Sequence, residues 1–131
     1  IYDWAKKTKP FFNNYEIKKF FINTPRTQLL KNIEFRTASM VKKNCINEVV
    51  KFKKKRLKKS LSPNKIIGVQ EIQRFLNGDF DQKSLIELIN IKTRQYAKRQ
   101  KTWSRAHMTD WHMVYSGNSS TLLKKILNLA S

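Results

Sequence analysis

The chain has 131 residues, 40% of them hydrophobic, with eight Phe, four Tyr and three Trp; that is enough apolar material for one domain core and excludes a disordered chain. Twenty-eight Lys and Arg stand against nine Asp and Glu, a net charge of +19, and such a field concentrates polyanions, with nucleic acid the foremost partner. One cysteine, Cys45, excludes an internal disulfide framework and a multi-cysteine zinc site.

No apolar run approaches the roughly 20 residues that span a bilayer, and no basic-led apolar block marks a signal peptide. A cytoplasmic protein without a membrane partner is therefore expected. The chain opens on Ile1 rather than Met, which leads us to expect a segment of a longer or processed protein.

Taken in chain order, Tyr15–Ile22 ends in the apolar run Phe20-Phe21-Ile22, a candidate buried strand. Asn23-Thr24-Pro25 reads as a helix start, with Thr24 as N-cap and Pro25 at the first helical position. Leu30, Ile33, Thr37 and Met40 follow at 3-4-3 spacing along one helical face. Asn44 stands where that pattern stops, suited to a left-handed helix end.

Ile46, Val49, Val50 and Leu57 carry a second helix into the lysine run Lys51–Lys59. Ser60–Asn64 reads as a loop, Ile66–Leu76 as a short helix closed by Gly78. A long helix runs from Asp81 or Ser84 to about His107, with Ser84 and Glu87 placed for a capping box. Asp79 and Asp81 read as turn and capping residues. Trp111–Tyr115 is a second candidate strand, Gly117–Ser120 a turn and Leu122–Leu129 a closing helix. Neither strand has an evident partner, which predicts a sheet completed by other chain.

The long helix carries two stripes at ~100° per residue. Leu85, Leu88, Ile89, Lys92, Tyr96, Arg99 and Trp103 fall on one; Arg94, Lys98, Lys101 and Arg105 fall on another, roughly 200° away. The second has no acid at i±4, so its like charges oppose the helix unless an anion joins them. The first starts apolar yet continues through Lys92 and Arg99. Spacing leaves Arg99 two readings: a side chain snorkelling or bonded to core carbonyls, or the wall of a channel for anions or bases. Arg36, at the border of its own helix's apolar face, leaves the same choice.

Several chemistries are absent from the sequence. It contains no GxxxxGK[ST] phosphate loop, no HExxH, no GxSxG and no paired-Cys motif. His107 and His112 have only Cys45 and Asp110 as possible co-ligands, a poor metal set. Residue chemistry alone thus indicates a basic, helix-rich nucleic-acid-binding segment without a complete catalytic centre.

The run Tyr96-Ala97-Lys98-Arg99-Gln100-Lys101-Thr102-Trp103-Ser104-Arg105 closely resembles the YAKRQxTWxR signature of bacterial tRNA dimethylallyltransferases. Asn23–Arg26 with Ile33-Glu34-Phe35-Arg36 and Met40-Val41 resembles that family's PPR…I..R...M segment, and Ile46–Val49 its EV helix. Ile66–Glu71 resembles its AIGYKE segment, with Leu76-Asn77-Gly78 as LxG. Residues 20–115 are covered, and Ile1–Trp4 more weakly. Val69, Gln70 and Asn44 stand where the family commonly has tyrosine, a basic residue and glycine.

The resemblance implies an α-rich α/β fold, the C-terminal part of a P-loop NTPase-like core, with residues 1–14 ending a helical insertion and 15–131 belonging to the core. It implies transfer of a dimethylallyl group from dimethylallyl diphosphate to N6 of the adenosine 3′ of the anticodon. Arg36 is then the diphosphate-binding arginine. Lys65, Ile66, Ile67, Gly68, Val69 and Gln70, together with Lys98, Arg99, Gln100, Lys101, Thr102, Trp103, Ser104 and Arg105, become contacts to the tRNA anticodon stem-loop.

The family's phosphate loop and catalytic aspartate have no counterpart here, so an N-terminal portion of the same enzyme is implied as a partner, and the segment alone is expected to be inactive. Mg2+ is expected for the complete enzyme, which is expected to be a monomer, with no metal held by this segment alone. A non-catalytic basic RNA-binding module is the alternative from another class. A third reading makes Lys51–Lys59 a polybasic patch for anionic membranes.

Overall fold

The computed structural model describes Lys7, 15–55, 62–115 and 119–130. Its elements are β1 (Phe20–Asn23), α1 (Arg26–Lys43), α2 (Cys45–Lys54), a 3-10 turn (Ser62–Lys65), α3 (Val69–Leu76), α4 (Gln82–His107), β2 (His112–Tyr115) and α5 (Ser119–Ala130). They fall into two compact units, one formed by residues up to Asn23 and from Met108, the other by Thr24–His107. Leu57, the end of the lysine run, Gly117 and the expected insertion residues before Tyr15 other than Lys7 lie outside the described residues.

In the first unit the strands partner each other. β1 and β2 run parallel, Phe20 opposite His112 and Ile22 opposite Val114. Alternation along a strand turns Val114 inward, where it is 3% exposed. The pairing is entered through His112, whose backbone N–H donates to Lys19 O at 2.8 Å, and flanked by an ion pair between Lys19 and Asp110 at 2.9 Å.

The second unit is a helical cluster cored by Val41, Val49, Ile72, Leu85 and Ile89, with Cys45, Ile67, Val69 and Phe75 packed around them. Ile33 and Thr37 of the expected 3-4-3 face are buried, but at 4-4 spacing Val41 completes the buried line, while Leu30 and Met40 are half-buried at its edges. Lys42 and Lys43 in its last turn face the negative end of the helix dipole.

Several helix ends differ from the sequence expectation. Pro25, not Thr24, is the cap of α1: it is non-helical at φ −53°, ψ 138°, and its carbonyl accepts from Leu29 N–H at 2.9 Å. A proline carbonyl serves the first helical bond as well as any other, and no side chain is needed for it. Asn44 is not left-handed. At φ −151°, ψ 0° it is a non-helical hinge that ends α1 and caps α2, its side chain accepting from Asn47 Nδ2 at 2.9 Å.

Ser84 does not cap α4 either, because the helix begins earlier. Asp81 Oδ1 accepts the Ser84 backbone N–H at 2.8 Å; the Ser84 hydroxyl first, and this N–H second, hold the Asp81 carboxyl below the usual range. With the helix starting at Gln82, Ser84 lies inside the first turn and its hydroxyl bonds Asp81 instead. The expected helix Ile66–Leu76 starts only at Val69, since Gly68 at φ 101° breaks it, and Ser62–Lys65 of the expected loop forms a 3-10 turn.

Glu71 joins these parts. It is 5% exposed; Oε2 accepts the Gly68 backbone N–H at 2.8 Å, and Oε1 pairs with Lys92 Nζ. Burial pushes its carboxyl up, but Lys92 and the N–H groups of Glu71 and Gly68 outweigh this and hold it below the usual carboxylate range.

Two consequences are measurable. Leu85 is fully buried, so Leu85→Ala is expected to cost about 2–5 kcal/mol in denaturant unfolding. A depressed carboxylate contributes stability that is complete above its unfolded value and is lost as pH falls through the folded one. Lys92→Met is thus expected to cost about 1–3 kcal/mol at neutral pH, discounted because half of Lys92 is open to solvent. That difference should close in acid, as unfolding curves at a series of pH values will show.

Candidate functional site

Within the second unit α1 packs on α4, and clefts open on both sides of the contact. The larger, about 720 Å³, takes Asn32, Arg36 and Met40 from α1, Lys65, Ile66 and Ile67 from the turn, and Thr93, Tyr96 and Arg99 from α4. The other, about 460 Å³, takes Thr24 and Arg26 at the start of α1 and Arg94, Gln95, Ala97, Lys98, Lys101 and Arg105 from α4. Both share Leu29 and Ile33.

The open alternatives for the first stripe are thereby resolved residue by residue. Lys92 finds a buried acid. Arg99 leaves the core: it is exposed, with its guanidinium carbon 6.0 Å from the Tyr96 ring centroid, and it shares a cleft with the exposed Arg36. Trp103 is 54% exposed and stacks on His107 at 4.6 Å and 11°, with His107 Nδ1 2.9 Å from Trp103 O. Trp103, Lys98, Arg99 and Thr102 line a third, shallow depression.

The second stripe needs one correction, because Arg94 does have acids in reach. It donates to Glu87 Oε1 at 2.6 Å, seven residues earlier, and lies 4.0 Å from Glu34. Two turns separate Arg94 from Glu87, and an arginine is long enough to cover them. Lys98, Lys101 and Arg105 make no ion pair among the described residues.

Arg36, Lys65, Ile66, Ile67 and Arg99 therefore converge on one cleft, while Lys98, Lys101 and Arg105 line its neighbour. Gly68, Val69 and Gln70 do not line the larger cleft: Gly68 is the buried cap of α3, Val69 packs on the core and Gln70 is exposed on α3. Thr102 and Ser104 return their hydroxyls to the Lys98 and Gln100 carbonyls at 3.1 and 2.8 Å, and Gln100 is exposed. Sequence reading did not include Thr24 or Arg26 in a site; the signal was Arg26's place on the first turn of a helix whose next apolar face was already assigned.

The IPP transferase family model matches residues 1–107. The chain belongs to the IPP transferase family. It is 44% identical over 126 residues to the tRNA dimethylallyltransferase of Pelagibacter ubique (strain HTCC1062), covering 96% of this chain and 40% of that protein. It is 35% identical over 114 residues to the tRNA dimethylallyltransferase of Bartonella tribocorum, covering 86% and 39%. The chain thus spans about two fifths of these relatives. The solved tRNA isopentenylpyrophosphate transferase of Bacillus halodurans superposes with a TM-score of 0.73 at 22% identity, over 89% of this chain and 39% of that one. The expected fold class holds: a helix-rich portion of a P-loop NTPase-like core, with two parallel strands.

Proposed function

We propose that this chain is the portion of a cytoplasmic tRNA dimethylallyltransferase that receives the anticodon stem-loop and steadies the diphosphate of the prenyl donor. The observation that carries the reading is the convergence of Arg36, Lys65–Ile67, Tyr96 and Arg99, three separate stretches of sequence, on one cleft. No helix among the described residues is long and apolar enough to cross a membrane.

The chemistry suits such a cleft. Adenine N6 attacks the allylic carbon bonded to the diphosphate; the carbon–oxygen bond breaks, the diphosphate departs with the electron pair, and N6 loses a proton. Charge builds on the leaving oxygens, where a fixed guanidinium such as Arg36 is most effective. The base must first leave its stack, and Tyr96 with Arg99 offers a flat, cationic surface for unstacked bases. Lys98, Lys101 and Arg105, on the other side of α4, suit backbone phosphates.

The base that takes the N6 proton and the phosphate loop belong to parts of the enzyme that the 131 residues do not supply. Mg2+ is expected of the complete enzyme rather than of this segment, whose described residues hold no group of three or more His, Cys, Asp or Glu.

In the complete enzyme, assayed by transfer of labelled dimethylallyl to tRNA, Arg36→Ala is expected to lower kcat on the order of 10²-fold. Arg99→Ala is expected to raise KM for tRNA by about ten-fold or more. Normal turnover and tRNA affinity in both variants would remove the assignment; RNA binding without any transfer would leave a non-catalytic RNA-binding module. Lys98→Ala and Arg105→Ala should each lower the slope of log affinity against log salt by about one unit.

A further inference from the structure

The Glu71–Lys92 pair lies outside both clefts, yet its two ends adjoin the walls of the larger one. Lys92 stands one turn before Tyr96 and two before Arg99 on the same stripe of α4. Glu71 grips the Gly68 N–H, immediately after Lys65, Ile66 and Ile67. One buried carboxylate therefore ties the turn that forms one wall to the helix that forms the other.

Beyond the bond from Ile72 N–H to Gly68 O at 2.9 Å, packing holds Lys65, Ile66 and Ile67 lightly. Ile66 is 60% exposed, so burial does not anchor it, and the backbone bond from Val69 N–H to Ile66 O is 3.2 Å long. Gly68 at φ 101° ends helical continuity and has no side chain of its own to pack. Of Lys65, Ile66 and Ile67, it is Ile67 that packs on the core.

A capping role alone does not account for Glu71. A cap uses one oxygen and works at the surface, whereas this carboxylate is buried and commits its second oxygen to another helix. Buried ion pairs are poor devices for stability, because desolvation offsets most of the attraction, but they are good at selecting one arrangement over its neighbours.

We propose that Glu71 and Lys92 are positioning residues of the larger cleft: their ion pair, acting through the Glu71–Gly68 hydrogen bond, sets where Lys65, Ile66 and Ile67 stand against Tyr96 and Arg99, and thereby sets the cleft's affinity for RNA. The affinity clause rests on the reading given under Proposed function; the positioning clause does not.

The experiment is hydrogen–deuterium exchange of the full-length protein, read on peptides spanning residues 64–70, beside the affinity for a tRNA anticodon stem-loop. In Lys92→Met, exchange over 64–70 is expected to quicken about ten-fold more than in peptides from α1, whose change reports the global loss of stability. Stem-loop affinity should fall about two- to ten-fold, and Lys92→Arg should restore both. Should Lys92→Met fail to fold, Glu71→Gln, which keeps an acceptor for Gly68 but drops the charge, is expected to show the same local loosening to a lesser degree.

Unchanged exchange over 64–70, or an increase spread evenly over the molecule, overturns the proposal, since a merely structural pair loosens everything or nothing in particular. A loosened turn with full stem-loop affinity overturns the affinity clause. If the unmodified protein binds no stem-loop, the tRNA reading fails, and exchange over 64–70 still decides whether the pair positions the turn.

Discussion

The seam between α1 and α4 decides what each cation of the long helix faces. Leu29 and Ile33 press against α4 between its two stripes and so border both clefts. Had α1 covered the first stripe instead, Tyr96 and Arg99 would be in the core and the guanidinium would need partners there. Two threonines near the seam are satisfied locally: Thr37 and Thr93 return their hydroxyls to the carbonyls of Ile33 and Ile89, at 2.9 and 2.8 Å. The two helices can therefore meet closely without leaving those hydroxyls unpaired.

Charge is distributed to match. Of nine acids, Glu34, Glu71, Asp79, Glu87 and Asp110 are engaged in ion pairs with Arg94, Lys92, Arg74 and Lys19. The partners are structural cations. Arg36, Lys98, Arg99, Lys101 and Arg105 make no such pair among the described residues. Lys98, Lys101 and Arg105 stand three and four residues apart, a spacing at which like charges disfavour the helix. An arriving polyanion removes that repulsion, so part of the binding free energy is stored as electrostatic strain in the free protein.

Local patterns in the sequence were legible where one element settles them. The buried face of α1, both strands and the reach of α4 to His107 follow from apolar spacing, and the family follows from the ten residues beginning at Tyr96. Helix ends were harder, because neighbouring residues offer alternative caps: Asp81 serves where Ser84 was expected, and Pro25 where Thr24 was. Pairings across elements were not legible at all. Glu71 lies 21 positions before Lys92 on another helix, and Glu87 reaches Arg94 across two turns, beyond the i±4 neighbours that helical reasoning considers. Nor could spacing show that Arg36 and Arg99 meet, since that depends on which side of α4 receives α1.

The two clefts differ in what they can hold. The larger combines two arginines with Tyr96, Met40, Ile66 and Ile67, a mixture suited to a flat base and an apolar chain beside a charged group. The smaller sets four cations, Arg94, Lys98, Lys101 and Arg105, along α4 against Leu29, Leu30 and Ile33 of α1. Lys98 and Arg99 are adjacent in sequence yet serve different clefts, and α4 is one uninterrupted helix of 26 residues. Its backbone bonds fix the offset between the two sites. In the proposed reading, phosphates held on one side place the nucleotide a set distance away on the other. The second contact then forms within a complex already made, at a high effective concentration and with little further loss of orientation. A flexible loop carrying the same cations would bind RNA as readily by charge alone, but it could not hold a particular base still against a leaving diphosphate.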